Sequence, residues 1–190
     1  LEDLMTGSPV SQVVRSLERR EPSNIDSLLA GVSFSKQELI ALSEQGIANG
    51  LLVLVGGEPI SGTSHLYTGD GWRRLIQAVE LQLADFHREY PLKGGMVTEE
   101  LRSRLKLRGR LAGQVVDKLL SGGHIVARQG LVALPWHAVS VSTSERARMD
   151  QFLSVLNLEW TEQPPALEEY LLNVLIDEGV VLRAPGGVLF

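Results

Sequence analysis

Apolar positions along this chain fall into a pattern that recurs in a fixed frame. Laying Val115 to Leu134 over Leu171 to Phe190 without a gap places Leu119 and Leu120 on Leu175 and Ile176, and Gly123 on Gly179. In the same frame Ile125 and Val126 fall on Val181 and Leu182, and Gln129-Gly130 on Pro185-Gly186. The shared pattern reads as the end of an amphipathic helix, a glycine free to adopt a left-handed C-cap, a short strand, a tight turn and a return strand. A weaker third copy begins at Leu42, with Gly50 as the cap, Leu51 to Val55 as the strand and His65 to Tyr67 as the return. Its turn, carrying Gly56-Gly57, Pro59 and Gly62, is longer, so its hairpin is expected to be larger.

One helix on a two-stranded hairpin buries too little apolar surface to offset the chain entropy lost on folding, so each copy needs helices ahead of it. Val10, Val13, Val14 and Leu17 recur at helical spacing before Glu21-Pro22, and Ile25, Leu28 and Leu29 predict a short second helix ended by Gly31. Ser35 with Glu38 three residues on is the capping-box pattern and opens the helix that ends near Gly50. Further along, a long helix from about Gly71 carries Leu75, Ile76, Val79, Leu83 and Phe86 and stops before Pro91. Thr98 then caps a helix over Glu99 to Leu105, and Gly109 separates it from a third over Arg110 to Ser121. In the last copy Ser144 is expected to cap a helix with Met149, Phe152, Leu153 and Leu156 inward, followed by a helix over about Leu167 to Glu178. Only Asn157 to Ala166 lies between these two, too little for a normal middle helix, so this copy is either incomplete or lacks residues. The expected fold is α+β, mostly α: tandem winged helices, each a helix-turn-helix with a β-hairpin wing, over residues 1–68, 69–140 and 141–190.

Composition narrows the function classes. With 44% hydrophobic and 22% charged residues the chain of 190 is ordinary for a globular protein, and its longest uncharged apolar run, Leu51 to Gly57, is too short to span a bilayer. The absence of cysteine excludes disulfides and thiolate metal sites and fits a reducing compartment, so a cytoplasmic location is expected. The net charge of -5 is unevenly spread. Residues 1–68 hold 4 basic and 8 acidic side chains, residues 69–140 hold 11 and 7, and residues 141–190 hold 3 and 8. Only the middle segment has a positive balance suited to a polyanion.

The chief charge feature there is Arg102, Arg104, Lys106, Arg108 and Arg110, five cations in nine residues where the second helix meets the third. In a winged helix the recognition helix starts at this junction, so these side chains are the candidate nucleic-acid contacts, against the plainer reading of a solvated face. Arg104 and Arg108 have a further possible role in pairing with acidic groups of a neighbouring module. Phosphate-loop, nucleophile-elbow and zinc-protease motifs are absent, so no catalytic, cofactor-binding or metal-binding residue is assigned. His65, His87, His124 and His137 stand singly in different segments. Glu99-Glu100 and Glu168-Glu169 fall in first helical turns, where carboxylates suit the positive end of the dipole. Trp72, Trp136 and Trp160 lie near segment boundaries; packing between modules is the plain explanation for them and stacking on an unpaired base the sharper one.

The run Phe86-His87-Arg88-Glu89-Tyr90-Pro91-Leu92, followed by Gly95-Met96 and then Glu99-Glu100-Leu101-Arg102-Ser103, resembles the second winged helix in the C-terminal part of the bacterial selenocysteine-specific elongation factor SelB. The resemblance is sharp over these residues, and the modular pattern extends it over most of the chain. It implies translation with selenocysteine incorporation. The intact factor would carry GTP with magnesium and selenocysteinyl-tRNA on N-terminal domains, work on the ribosome, and bind the messenger-RNA hairpin through a C-terminal array of winged helices. This chain departs from that plan in having no nucleotide-binding motif and in ending at about the third wing. No RNA-contact residue of the family can be carried over. The resemblance therefore implies a noncatalytic, monomeric spacer between the tRNA-carrying body and the hairpin-binding tip, with weak or no RNA binding of its own, no cofactor and no membrane association. The alternative is a winged-helix regulator that reads DNA or RNA through the basic middle module.

Overall fold

The computed structural model describes residues 7–128, 130–156 and 166–184. They form α1 (Pro9–Glu18), β1 (Ser23–Asn24), α2 (Ile25–Leu29), α3 (Lys36–Ala48), β2 (Leu52–Val55), β3 (His65–Thr68) and α4 (Gly69–Glu89). There follow β4 (Met96–Val97), α5 (Thr98–Arg104), α6 (Gly109–Ser121), β5 (Val126–Arg128), β6 (Leu131–Ala133), α7 (Thr143–Leu156) and α8 (Glu169–Asp177). Two compact units emerge, residues 1–82 with 99–126 and residues 83–98 with 127–190.

In the first unit the helix starts are set by side-chain caps. The Ser8 hydroxyl accepts from the Ser11 amide ahead of Pro9, and the Asn24 carbonyl accepts from the Ser27 amide. Ser35 and Glu38 form the reciprocal capping box expected from their spacing. The apolar faces of α1, α2 and α3 close on the sheet through Val13, Leu17, Ile25, Leu28, Leu39, Leu52, Leu54 and Leu66. That sheet is antiparallel with order β1-β3-β2, pairing Leu52 with Thr68 and Val55 with His65. Its third strand, β1, sets Ser23 opposite Leu66 and was invisible in the sequence, because two residues carry no alternation. At the start of α4 the side chain of Glu21, only 10% exposed, accepts from both the amide and the hydroxyl of Thr68 and pairs with Arg74 at 3.0 Å. The Thr68 hydroxyl in turn accepts from the Gly71 amide.

In the second unit β4 pairs antiparallel with β6, Met96 opposite Val132 and Val97 opposite Leu131, in a sheet of order β4-β6-β5. Helices α7 and α8 enclose Met149, Phe152, Leu171, Leu172, Val174, Leu175 and Val181, against which Leu92, Val139 and Val141 also pack. The cap of α7 is a correction to the sequence reading. Ser142, not Ser144, holds the Glu145 amide on its hydroxyl at 3.3 Å, and the Glu145 carboxylate returns to the Ser142 amide at 2.8 Å. The carboxylate three residues on selects Ser142, since only that spacing closes the reciprocal box. The expected turn and return strand at Pro185 to Phe190, Trp160, and the short connection Asn157 to Pro165 lie outside the described residues.

Three helix ends close in the same way. Gly50, Gly123 and Gly179 stand at φ of 71°, 70° and 72°. After each, the next amide bonds back five residues: Leu51 to Gly46, His124 to Leu119 and Val180 to Leu175. This is the Schellman closure, in which a left-handed residue lets the chain turn out of the helix while satisfying its last carbonyls. The shared geometry explains why the three glycines align in the sequence.

Candidate nucleic-acid interface

The five cations of the middle segment divide into two groups. On α5, Arg102 donates to Glu99 at 3.2 Å, one turn back. Arg104 places Nε and a terminal nitrogen on one oxygen of Glu100, at 3.1 and 2.6 Å, and reaches Gln82 at 3.4 Å. These are the i, i+3 and i, i+4 spacings at which helical side chains meet. Glu99 and Glu100 thus do more than sit at the positive end of the helix: they occupy both arginines. The partner of Arg104 comes from its own helix rather than from a neighbouring module.

Beyond α5 the chain makes a turn in which the Leu107 amide bonds to the Arg102 carbonyl and the Lys106 amide to the Ser103 carbonyl. Lys106 takes a left-handed conformation, φ 56°, which a residue with a Cβ adopts at a cost, and Gly109 follows at φ 58°. Lys106, Arg108 and Arg110 are exposed and, among the described residues, form no ion pair. Arg108 precedes α6 without capping it. The inner face of α6 is fixed by burial of Ala112, Val115, Val116 and Leu119, so the three cations project from its first turn and from the turn before it. Partial burial, then the Arg110 charge, holds the His65 imidazole below its ordinary range.

The histidines are not all isolated. His87 and His137, fifty residues apart in sequence, stack face to face with ring centres 3.5 Å apart and planes within 9°. His87 is buried, and its Nε2 accepts the Leu134 amide at 3.3 Å. The His137 Nε2 lies 2.9 Å from the Lys93 carbonyl. Burial, and secondarily His137, lowers the His87 pKa from 6.5 to about 4. The unfolded chain therefore takes up a proton near pH 6.5 that the folded chain refuses until about pH 4. Stability contributed by neutral His87 is complete above pH 6.5 and is lost as the pH falls through this window, by no more than about 1.4 kcal/mol per pH unit. Urea unfolding at a series of pH values should show this slope, and His87→Gln should flatten it. Among the described residues no three or more histidine or acidic side chains gather as a metal would require.

Of the tryptophans, Trp72 is buried with its ring 5.5 Å from Tyr67, edge to face. Trp136, by contrast, is 70% exposed. Among the described residues no helix is long and apolar enough to cross a membrane.

Capped helices leading into a paired wing make this a winged-helix protein. Residues 81–134 match the family model described as elongation factor SelB, winged helix. Over this stretch the chain is similar to the second winged helix of that factor. The match takes in α5, α6, the wing strands and the run from Phe86 to Ser103. No curated protein sequence matches the chain. Among solved structures the chain is similar to the mRNA-binding domain of elongation factor SelB from E. coli in complex with SECIS RNA, at 18% identity and a TM-score of 0.49. That similarity covers 67% of this chain and 98% of the other.

Proposed function

We propose that the chain is a noncatalytic winged-helix spacer of a selenocysteine-specific elongation factor, joining the GTP- and tRNA-binding body to the tip that grips the messenger-RNA hairpin. The match of residues 81–134 to the SelB winged helix carries this reading. Selenocysteinyl-tRNA, the ribosome, the hairpin, GTP and magnesium belong in it to the complete factor, a monomer acting in the cytoplasm. A spacer must hold its two ends at a set separation, and elements that resist bending serve that end. Helix α4 runs unbroken for 21 residues, about 32 Å at 1.5 Å per residue. Its first turn is tied down by Glu21 through Thr68 and Arg74. Neutralisation of Arg102 and Arg104 by their own helix leaves three cations rather than five for a polyanion.

The test is RNA binding by this chain. In the spacer reading, Lys106→Gln, Arg108→Gln and Arg110→Gln together change the affinity for a stem-loop RNA less than about 2-fold, because no set of phosphate contacts is lost. A loss of about 10-fold or more that shrinks as salt rises would overturn it. That outcome would favour the second reading, a nucleic-acid-binding winged helix, which the exposure of these three side chains supports.

A further inference from the structure

We propose that Trp136, with Lys93 beside its support, forms a stacking platform for one unpaired nucleotide of RNA. The inference rests on the translation-factor reading, and it concerns a place in the second unit remote in sequence from the basic turn. Burying an indole is the ordinary way to satisfy its large apolar surface, yet Trp136 is 70% exposed, which leaves a broad aromatic face bare. The ring also has an aromatic neighbour. Its ring stands edge to face with His87, centres 6.4 Å apart at 71°. His87 lies flat on His137 and is anchored by the Leu134 amide, and His137 meets the Lys93 carbonyl. Strand β6 ends just before this stretch, so the support is continuous with a paired sheet.

The chemistry favours a nucleotide over an apolar peptide. Lys93 is exposed and, among the described residues, has no carboxylate partner; its ammonium sits 4.5 Å from the centre of the Tyr90 ring and 5.8 Å from that of Phe86. An exposed aromatic face whose histidine support is bonded to the backbone of Lys93 suits a base, since every base has a π-face, and the Lys93 ammonium is the cation available to its phosphate. A platform of one base and one cation binds weakly and without sequence choice, in keeping with a spacer that touches RNA only in passing.

The test follows the Trp136 indole N–H signal, identified by its loss in Trp136→Phe, as single-stranded oligouridylate is added to the 190-residue chain. A saturable shift is expected, with affinity reduced roughly 5-fold or more by Trp136→Ala. The salt slope should be about 0.7, one phosphate's worth, and should vanish in Lys93→Gln. Duplex RNA, whose bases are already stacked, should produce little response. An absent shift, an equal response to duplex, or a Trp136 signal that moves with protein concentration alone would overturn the proposal, the last by showing a second copy of the chain as occupant. Should Trp136→Ala fail to fold, Trp136→Phe and the titration of the unaltered chain decide the matter. Substituting Lys106, Arg108 and Arg110 should leave this titration unchanged. Failure of the spacer reading would appear there, and failure of the platform would appear only at Trp136.

Discussion

Replacing Gly95 with alanine should lower the stability of the fold by about 3 kcal/mol, the scale of an overpacked core site whose neighbours cannot move aside. A Cβ at this position would lie 2.6 Å from the Val132 carbonyl oxygen and 3.0 Å from its carbon. Both are backbone atoms, and Val132 pairs with Met96 in the sheet, so the added methyl can be admitted only by parting β4 from β6. Gly94 supplies the control: a Cβ there meets nothing within 4 Å, and alanine should change stability by no more than about 0.5 kcal/mol. Urea unfolding of the two variants side by side measures the difference, and equal midpoints would mean that the strand does not approach Gly95 so closely. The same crowding gives a physical reason for the glycine in the Gly95-Met96 pair on which the SelB resemblance was drawn.

The second large effect is expected at Glu21. Truncation to alanine removes the acceptor for the Thr68 amide and hydroxyl and the partner of Arg74, and should cost about 2 to 3 kcal/mol, because a poorly solvated donor is left unpaired. Glu21→Gln keeps an oxygen for Thr68 but loses the charge, and should cost about half as much. Amide exchange in the first turn of α4 should accelerate in the alanine variant, with α1 less affected. Uniform acceleration throughout the first unit would show that Glu21 supports general stability rather than the start of α4. Gly71 belongs to the same arrangement, since a Cβ on it would fall 1.9 Å from the Glu21 carboxylate.

The helices were legible because their signals are local. Ser35 with Glu38, the apolar spacing of Val10, Val13 and Leu17, and the glycines after three helices are all read within a few residues. The same logic, applied strictly, would have chosen Ser142 over Ser144, because Glu145 stands at the reciprocal distance from Ser142 alone. The pairs Arg102 with Glu99 and Arg104 with Glu100 were equally available from helical spacing, but the glutamates were read only against the dipole. What could not be read depends on chain segments far apart. Glu21 finds Thr68 across 47 residues, His87 finds His137 across 50, and strands β1 and β4 have two residues each, with no pattern until a partner strand lies beside them. The exposure of Trp136 is likewise a property of the folded surface, since an aromatic near a segment boundary reads the same whether it is covered or bare.

The recurring exit from the helix has an effect on what each hairpin can become. Because the departure is settled within five residues by one glycine and one backward bond, the strand's base is anchored independently of how far its tip extends. Nine residues separate β2 from β3 and two separate β5 from β6, yet Gly50 and Gly123 hold the same backbone angle to within a degree. A lineage could therefore lengthen, shorten or recharge a fingertip to suit a new neighbour while the knuckle beneath it stays as it was.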